Sequence, residues 1–258
     1  MQQYINQFIL SNIPIHEKAF GFIKEKSIYD NARIHINQEC ILNIDLDNFF
    51  GTINSKQVYS VFLKMGYADN LCVDFTKICT AALDDKSLLP ILPQGAPTSP
   101  TLSNIRALQL DKRLDTYAKK NDLVYSRYAD DITFSGLREN LPKISFLKKV
   151  IEGEGFRLNN SKIRLYTEKS NKRIVTGLLV DTSVRIPKKF KKEIFRHLHF
   201  CRKYSPIEHI DYLNRKRGNR KDYFYEWLKG KISFVKMIEP EIGRKMFEEF
   251  NQIDWGIK

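Results

Sequence analysis

Two adjacent aspartates, Asp130 and Asp131, stand between two runs of strand-forming residues, and this pattern constrains the local fold more than any other. Val124–Tyr128 before them and Ile132–Phe134 after them are rich in β-branched and aromatic side chains. The break at Ala129–Asp131 therefore predicts a β-hairpin with both carboxylates at or near its turn. Aspartate is also a common turn residue, because its side chain bonds nearby backbone groups, so an ordinary turn is the better explanation of the pair taken alone.

A third aspartate, Asp45, stands near the end of a short apolar run that begins at Ile41. An ionised carboxylate on a buried strand is costly unless something pairs with it. If Asp45 meets Asp130 and Asp131 in space, three negative charges converge. Such a cluster either raises a pKa or binds cations.

The type of ligand indicates which cation such a cluster would bind. Hard oxygen ligands without nearby His or Cys favour Mg²⁺, or Mn²⁺ as an alternative, over zinc. Two such ions, roughly 4 Å apart, would activate an attacking hydroxyl and stabilise a leaving pyrophosphate during in-line displacement. The three aspartates therefore predict phosphoryl transfer, in which positioning and charge neutralisation dominate.

A loop and a helix start lie between the two carboxylate sites. Ser99-Pro100 is predicted to begin a helix, with Ser99 as the N-cap and Pro100 at the first helical position. Gly95, in the preceding Leu92–Gly95 segment, lets the backbone approach a ligand closely. An ordinary helix start would explain Ser99-Pro100, but it does not require Leu-Pro-Gln-Gly in front of it.

Length and charge bound the class of protein. At 258 residues the chain can bury a core in one or two compact units. Its 43 Lys and Arg against 30 Asp and Glu give a formal net charge of +13, which predicts a polyanionic partner or a membrane surface. No apolar run approaches the roughly 18 residues of a membrane span. The N-terminus lacks the charged start and apolar core of a signal peptide.

The four cysteines, Cys40, Cys72, Cys79 and Cys201, show no CxxC pair or zinc spacing. They predict reduced, mostly buried thiols, and with the absence of a span they predict a cytoplasmic protein without a membrane partner. His35 is expected to make a structural hydrogen bond rather than to act in catalysis.

Positive charge is concentrated in residues 188–221, where twelve Lys and Arg against three Asp and Glu supply +9 of the total. Pro187 is predicted to start a helix with Phe190, Ile194 and Leu198 on one apolar face. A solvated face is the ordinary explanation of such a basic run, and a salt-dependent grip on a nucleic-acid backbone is the alternative. The candidate nucleic-acid contacts are Lys188, Lys189, Lys191, Lys192 and Arg196, and then Arg215, Lys216, Arg217, Arg220 and Lys221 in a predicted loop around Gly218.

Several motifs, in order along almost the whole chain, closely resemble those of the reverse transcriptases, and within them the retron type. They are Ile44–Phe50 (first catalytic motif), Leu92–Pro100 with Asn104 (nucleotide-side loop and helix), Tyr128–Asp131 (catalytic hairpin), and Gly155–Asn159 with Lys162 (the motif that follows). Two further marks, Asn31-Ala32-x-x-His35 and Val175-Thr176-Gly177, are the ones similar to retron enzymes in particular.

The resemblance implies which residues bind metal. Asp45, Asp130 and Asp131 would be the catalytic residues and the ligands of two Mg²⁺ ions, with the carbonyl of Leu46 assisting. Asp47 is not expected to bind metal.

The resemblance also implies a nucleotide site. Phe50 would exclude a ribose 2′-OH, so the product would be DNA; a plain core aromatic is the alternative. Gln94 and Gly95 would lie against the incoming nucleotide and the template. Lys162 would protonate or neutralise the leaving pyrophosphate, unless it is a solvated surface lysine.

The implied fold is α+β: a right-hand polymerase palm with an antiparallel catalytic sheet, truncated fingers and a helical thumb. Residues 1–180 would form the fingers and palm (the reverse transcriptase domain), and residues 181–258 the basic thumb. Only 44 residues precede Asp45, fewer than in the family, so part of the N-terminal fingers is expected to be lacking. A late start codon, a partner chain that supplies the fingers and a shortened enzyme are the three explanations.

The expected function is that of a retron-type RNA-directed DNA polymerase. It would use dNTPs to copy a cognate structured RNA into single-stranded DNA linked to RNA, in anti-phage defence alongside an effector or toxin protein. Two alternatives stay open. One is a weakly active or inactive RNA-binding scaffold that restrains the effector, and the other is a polymerase that adds nucleotides without a template.

Overall fold

The structure, a computed structural model, describes residues 1–82, 89–170, 172–217 and 223–256, without the side chains of Lys216 and Arg217. The chain divides into two units, Met1–Thr176 and Gly177–Lys258. The first combines helices with an antiparallel sheet, and the second is mainly helical.

The first unit begins with short helical segments. α1 (Gln2–Tyr4) continues as a π-helical stretch, Ile5–Ile9, and a 3₁₀ turn, Leu10–Asn12. α2 (Ile28–Arg33) starts with a capping box: the Ser27 hydroxyl accepts from the Asp30 amide, and the Asp30 carboxylate accepts from the Ser27 amide. This reciprocal pairing satisfies two of the amides that a helix start leaves unbonded.

The sheet of the first unit has the strand order β2-β3-β1-β4, and all its pairs are antiparallel. β1 is an inner strand buried on both faces, which explains its nearly continuous apolar sequence. β2 and β3 form the predicted hairpin, so the predicted α+β class with an antiparallel sheet is confirmed. The strands are β1 (Cys40–Asp45), β2 (Val124–Tyr128), β3 (Asp131–Gly136) and β4 (Arg164–Tyr166), and β5 (Ile174–Val175) follows them.

Helices from between and after the strands complete this unit. Its hydrophobic core joins β1 and β3 residues such as Ile44 and Phe134 to helix residues such as Phe62, Leu110 and Leu147. The helices are α3 (Ser55–Lys64), α4 (Asp69–Cys79), α5 (Ser99–Lys120) and α6 (Ile144–Gly153).

α5 begins one residue differently from the prediction. Its N-cap is Thr98, and Ser99 is the first helical residue, with Pro100 in the first turn as expected. The prediction of Ser99 as N-cap is wrong because its hydroxyl instead donates to the carbonyl of Pro93, at 2.7 Å. That bond closes the loop from Pro93 to Ser99 onto the helix start.

The second unit begins with a short hairpin, β6 (Leu178–Val180) and β7 (Val184–Arg185). In the described part of this unit, the helices that follow are α7 (Lys188–Tyr204), α8 (Pro206–Arg217), α9 (Phe224–Ile238) and α10 (Pro240–Asn251). Pro187 is the N-cap of α7, and Ile194 and Leu198 are buried, so this predicted helix is confirmed. A β-carbon at Gly243 of α10 would lie 2.3 Å from the Cα of Lys236, so the two last helices touch where only glycine fits.

The second basic cluster differs from its predicted loop. Arg215, Lys216 and Arg217 are helical, because α8 buries Leu213 and continues through them to its end. Arg220 and Lys221 lie outside the described residues.

All four cysteines are buried and none forms a disulfide, which confirms the predicted reduced thiols. Across the described ranges, none of the helices combines the length and the apolar character that a membrane crossing requires.

Candidate active site

The three candidate aspartates lie at one end of the first unit's sheet. Asp45 ends β1 and stands opposite Asp131, the first residue of β3, in antiparallel register. Tyr128 also pairs with Asp131, so Ala129 and Asp130 form a two-residue turn. The amide of Leu46 donates to the carbonyl of Asp130 at 3.0 Å, which ties the turn to the end of β1.

The turn has a constrained backbone. Ala129 has a φ of 57°, in the left-handed region that residues with a β-carbon rarely adopt. A β-carbon on Gly21 would lie 2.5 Å from the Ala129 amide nitrogen, so the chain near Gly21 runs directly against the turn. Such a conformation persists only where the surroundings fix it.

Asp45 has two side-chain partners from the segment after α6. The Lys162 ammonium lies 3.0 Å from Oδ1 and 3.1 Å from Oδ2, and the Asn159 amide donates to Oδ1 at 3.2 Å. Asp45 is buried, whereas Lys162 keeps 55% of its side chain exposed. The interaction with Asp45 raises the pKa of Lys162. Lys162 is therefore fixed in the site and is not a free surface lysine.

Burial and neighbouring carboxylates raise the pKa values of Asp130 and Asp131. Partial burial, followed by the neighbouring charge of Asp45, raises the pKa of Asp130. Partial burial, then Asp130 and Asp45, raises the pKa of Asp131 to about 6, although the residue as a whole stays exposed. Lys162 acts in the opposite direction on both. Arg164 also lowers the pKa of Asp131, so three carboxylates face the positive charges of two side chains.

The donor chemistry of this cluster fits Mg²⁺, which prefers carboxylate and carbonyl oxygens. Through the described ranges, no three or more His, Cys, Asp or Glu side chains are gathered as a metal site. The Lys162 ammonium lies on both oxygens of Asp45. The metal-binding roles of Asp45, Leu46, Asp130 and Asp131 stay predictions.

Aromatic rings flank the first catalytic motif. Phe50 is half-buried, with its ring centroid 5.5 Å from that of Phe49 and 6.0 Å from that of Phe22. Phe22 has a φ of 63° and is 48% exposed. Phe49 stacks on Phe156, 5.5 Å between centroids, which connects the first motif to the Gly155–Asn159 segment. Phe50 therefore has packing partners but is not sealed in the core.

Gln94 and Gly95 form an exposed turn, with a φ of 84° at Gly95. The nucleotide-binding role of Gln94 and Gly95 stays a prediction. The left-handed φ explains why glycine occupies position 95.

A buried polar network beneath the turn was missed by the sequence analysis. Arg127 is fully buried and bonds Asp111 through two nitrogens at 2.7 Å each. It also donates to Asn104 Oδ1 at 3.0 Å and to the Ala129 carbonyl at 2.9 Å. Asn104 and Asp111 stand seven residues apart, two turns of one helix face, which is the signal that could have found them.

The basic residues of the second unit differ in their surroundings. Lys188, Lys189, Lys192, Arg196 and Arg215 are exposed. The side chains of Lys216 and Arg217 lie outside the described part of the chain. Lys191 is half-buried, and its ammonium lies 2.8 Å from both oxygens of Glu239. Lys191 is therefore held in an ion pair, unlike its exposed neighbours.

Residues 1–201 match the family model described as reverse transcriptase (RNA-dependent DNA polymerase). The "Retron Ec86 reverse transcriptase" of Escherichia coli is 32% identical over 98% of this chain and 73% of its own length. The chain belongs to the retron reverse transcriptases. The "Retron Mx162 reverse transcriptase" of Myxococcus xanthus is 29% identical over 98% of this chain, and the "Retron Mx65 reverse transcriptase" is 28% identical over 95%. The chain spans only 56% and 57% of these two relatives' lengths.

The two retron marks meet in the structure. The amide of Asn31 donates to the hydroxyl of Thr176 at 3.3 Å. His35, from the same mark as Asn31, bridges Ser126 of β2 (2.8 Å) and Ser135 of β3 (2.6 Å). Burial, followed by the charge of Lys18, lowers the pKa of His35 to about 3, so the ring is neutral. The structural role predicted for His35 in this retron reverse transcriptase is confirmed.

Proposed function

We propose that this chain is an RNA-directed DNA polymerase. The observation that carries the proposal is the convergence of Asp45, Asp130 and Asp131 at one end of the sheet. Two of them face each other in register, and the third lies in a turn that β1 holds in place. Family membership supports the same reaction.

Asp45, Asp130 and Asp131, with the carbonyl of Leu46, are the residues that would hold two Mg²⁺ ions, with Mn²⁺ as an alternative. When bound, such ions activate an attacking hydroxyl and stabilise a leaving pyrophosphate. The raised pKa values of Asp130 and Asp131 support this assignment, because they come from burial and from neighbouring carboxylate charge, and a bound divalent cation would stabilise the ionised carboxylates.

The nucleotide would lie beside this cluster. We assign to Phe50 the exclusion of a ribose 2′-OH, and to Gln94 and Gly95 the contact with incoming nucleotide and template. The Lys162 ammonium would move from Asp45 to the leaving pyrophosphate and neutralise or protonate it. Its ion pair supports this role, since it keeps an ammonium beside the aspartates while leaving more than half of the side chain accessible.

We assign the first unit to fingers and palm, and the second to a thumb that holds the template–primer backbone. Exposed Lys188 and Lys189 stand in the first turn of α7, and no acidic residue accompanies them there. Cations at a helix N-terminus oppose the helix dipole, so these residues do not serve helix stability. Binding to a phosphate backbone would explain why Lys188 and Lys189 occupy these positions.

The template, the product and the biological role are inferred from membership of the retron group alone. We propose that the template is a cognate structured RNA, that the product is single-stranded DNA linked to RNA, and that the protein works in the cytoplasm in anti-phage defence with an effector. A phage plaquing assay with Asp130→Asn in the native host would check the last point, since protection should disappear.

The direct test is primer extension on an RNA template with Mg²⁺ and dNTPs. Asp130→Asn and Asp131→Asn preserve side-chain size and should reduce synthesis to background. Asp47→Asn is the matched control, since Asp47 is an exposed aspartate of the same motif. It should extend primers like the native chain.

Each other outcome selects a different function. RNA binding without synthesis by the native chain would overturn the polymerase proposal in favour of the scaffold. DNA unrelated to the template would indicate template-independent addition. Unchanged synthesis in both site variants would remove these aspartates from the reaction.

A further inference from the structure

Arg127 is a charged residue that lies in the core directly behind the catalytic turn. None of its surface is exposed, and the same is true of its partner Asp111. Four bonds fix the guanidinium: two to the Asp111 carboxylate, one to the Asn104 side chain and one to the Ala129 carbonyl. The hydroxyl of Tyr125 donates to the same carboxylate at 2.7 Å.

Fold stability alone is a weak explanation of this arrangement. A buried ion pair gains little over apolar residues of similar volume, because both charges must leave water. The bidentate geometry of the Arg127–Asp111 pair, in contrast, fixes the direction in which the third guanidinium nitrogen points. That nitrogen, Nη1, is the one that reaches Ala129.

The carbonyl that Arg127 holds belongs to the residue with the least favourable backbone in the hairpin. Ala129 adopts its left-handed φ directly before Asp130. The Asp130 carbonyl in turn accepts from the Leu46 amide, beside Asp45. A shift of the Ala129 peptide would therefore move Asp130 relative to β1.

The same guanidinium reaches a second segment through Asn104. Its side-chain oxygen accepts from Arg127, and its amide donates to the Gly21 carbonyl at 2.9 Å. Gly21 lies against the turn and precedes Phe22, whose ring neighbours Phe50.

We propose that Arg127 is a positioning residue for the polymerase reaction. Its guanidinium, oriented by Asp111, holds the Ala129 carbonyl and so fixes where Asp130 lies relative to Asp45. Asn104 extends the same restraint to the Gly21-Phe22 segment. The kinetic part rests on the proposed function, and the restraint on the turn can be measured without catalysis.

The decisive variant removes the network without leaving a charge in the core. R127M/D111L/Y125F replaces the three polar side chains by apolar ones, which proteins often tolerate with little loss of stability. We expect a Tm within a few degrees of the native value and a kcat lower by about 100-fold, the scale of a 1 Å misplacement. A native kcat in the folded triple variant would overturn the proposal.

Two further variants separate positioning from stability. Phe62→Ala empties a fully buried site in α3 and removes none of the hydrogen bonds of the Arg127 network. Its Tm should fall by about 10 °C, with kcat per folded molecule unchanged. If the triple variant does not fold, Arg127→Lys takes its place. Arg127→Lys keeps a positive charge beside Asp111 but loses the bidentate guanidinium. A native kcat in this variant would overturn the proposal.

Amide hydrogen exchange in metal-free protein gives a readout independent of synthesis. The Leu46 amide, bonded to Asp130, should exchange at least about tenfold faster in the triple variant or in Arg127→Lys, since a looser turn opens more often. In Phe62→Ala it should change only as much as other β1 amides do. Native protection at Leu46 in the network variants would refute the restraint. Inactivity of the native chain would instead refute the polymerase proposal and leave this comparison valid.

Discussion

The ammonium of Lys162 contacts both carboxylate oxygens of Asp45, at 3.0 and 3.1 Å. The two residues are 117 positions apart in sequence. The ion pair places a monovalent cation on the carboxylate that is expected to bind a divalent one. Lys162 and such a divalent ion would therefore compete for Asp45.

Removal of this competitor should change the metal requirement. In Lys162→Met, half-maximal synthesis should need about 3- to 10-fold less Mg²⁺ at low salt, from the loss of one nearby charge. Maximal synthesis should decrease, because the leaving pyrophosphate loses its cation. Titration of Mg²⁺ in primer extension measures both. Lys148→Met, which removes an exposed lysine paired with Glu152 on α6, is the control and should leave the titration unchanged. An unaltered Mg²⁺ requirement in Lys162→Met would contradict the competition.

The raised pKa of Asp131, about 6, predicts a pH-dependent stability effect in chelator-treated protein. The folded state binds the carboxyl proton of Asp131 more tightly than the unfolded state does. The free energy of unfolding of the native chain therefore decreases as pH rises from about 4 through about 6. Asp131→Asn removes that loss. Its Tm should exceed the native Tm above pH 6, and the difference should vanish below pH 4. Thermal melts across this range measure it, with Asp47→Asn as control. A Tm difference that does not vary with pH would disprove the shift.

The packing of Phe22 against Phe50 predicts a shared effect on sugar selection. Phe50→Ala should reduce the preference for dNTP over NTP by about 100-fold, the scale on which a pocket rejects an added hydroxyl. Phe22→Ala should have a smaller effect in the same direction, since it only loosens the Phe50 ring. The ratio of kcat/KM values for the two nucleotides measures this. A native ratio in Phe50→Ala would leave Phe50 as a core aromatic.

The basic residues of α7 should separate into two groups. Lys188→Ala/Lys189→Ala should weaken binding to template–primer and reduce the slope of log Kd against log salt by about one per lost phosphate contact. Lys191→Met should act mainly on stability, because it leaves the half-buried Glu239 with the Ile186 amide but without its ammonium partner. Fluorescence anisotropy over a salt series and thermal melts check the two effects. Equal salt slopes in all variants would argue against the thumb assignment.

The hairpin, the strand that ends at Asp45 and the helix at Pro187 could be predicted from sequence, because each depends on local patterns. Strand-forming residues around Ala129–Asp131 and an apolar run before Asp45 need no knowledge of distant contacts. The helix start was missed by one residue at Ser99, since its hydroxyl bonds Pro93 rather than the helix.

The network behind the turn could not be predicted in the same way. Arg127 and Asp111 are both charged, and charged residues are rarely fully buried unless they are paired. Their pairing depends on how α5 packs on β2, which no local pattern determines. The loop predicted for Arg215–Arg217 failed for a related reason, because burial of Leu213 extends α8 through residues that looked like a charged linker.

The outer side of β2 is bonded to the chain near Lys18. The Arg127 amide donates to the Lys18 carbonyl at 2.9 Å, and the Phe20 amide donates to the Arg127 carbonyl at 2.8 Å. An uncovered outer strand offers its backbone to the same strand of another molecule. Lys18–Phe20 thus cover the outward-facing amide and carbonyl of Arg127 in β2. A version shortened past Phe20 would keep every candidate catalytic aspartate but would uncover the backbone of Arg127. We expect such a shortened enzyme to associate through β2, which makes it a poor starting point for a smaller tool enzyme.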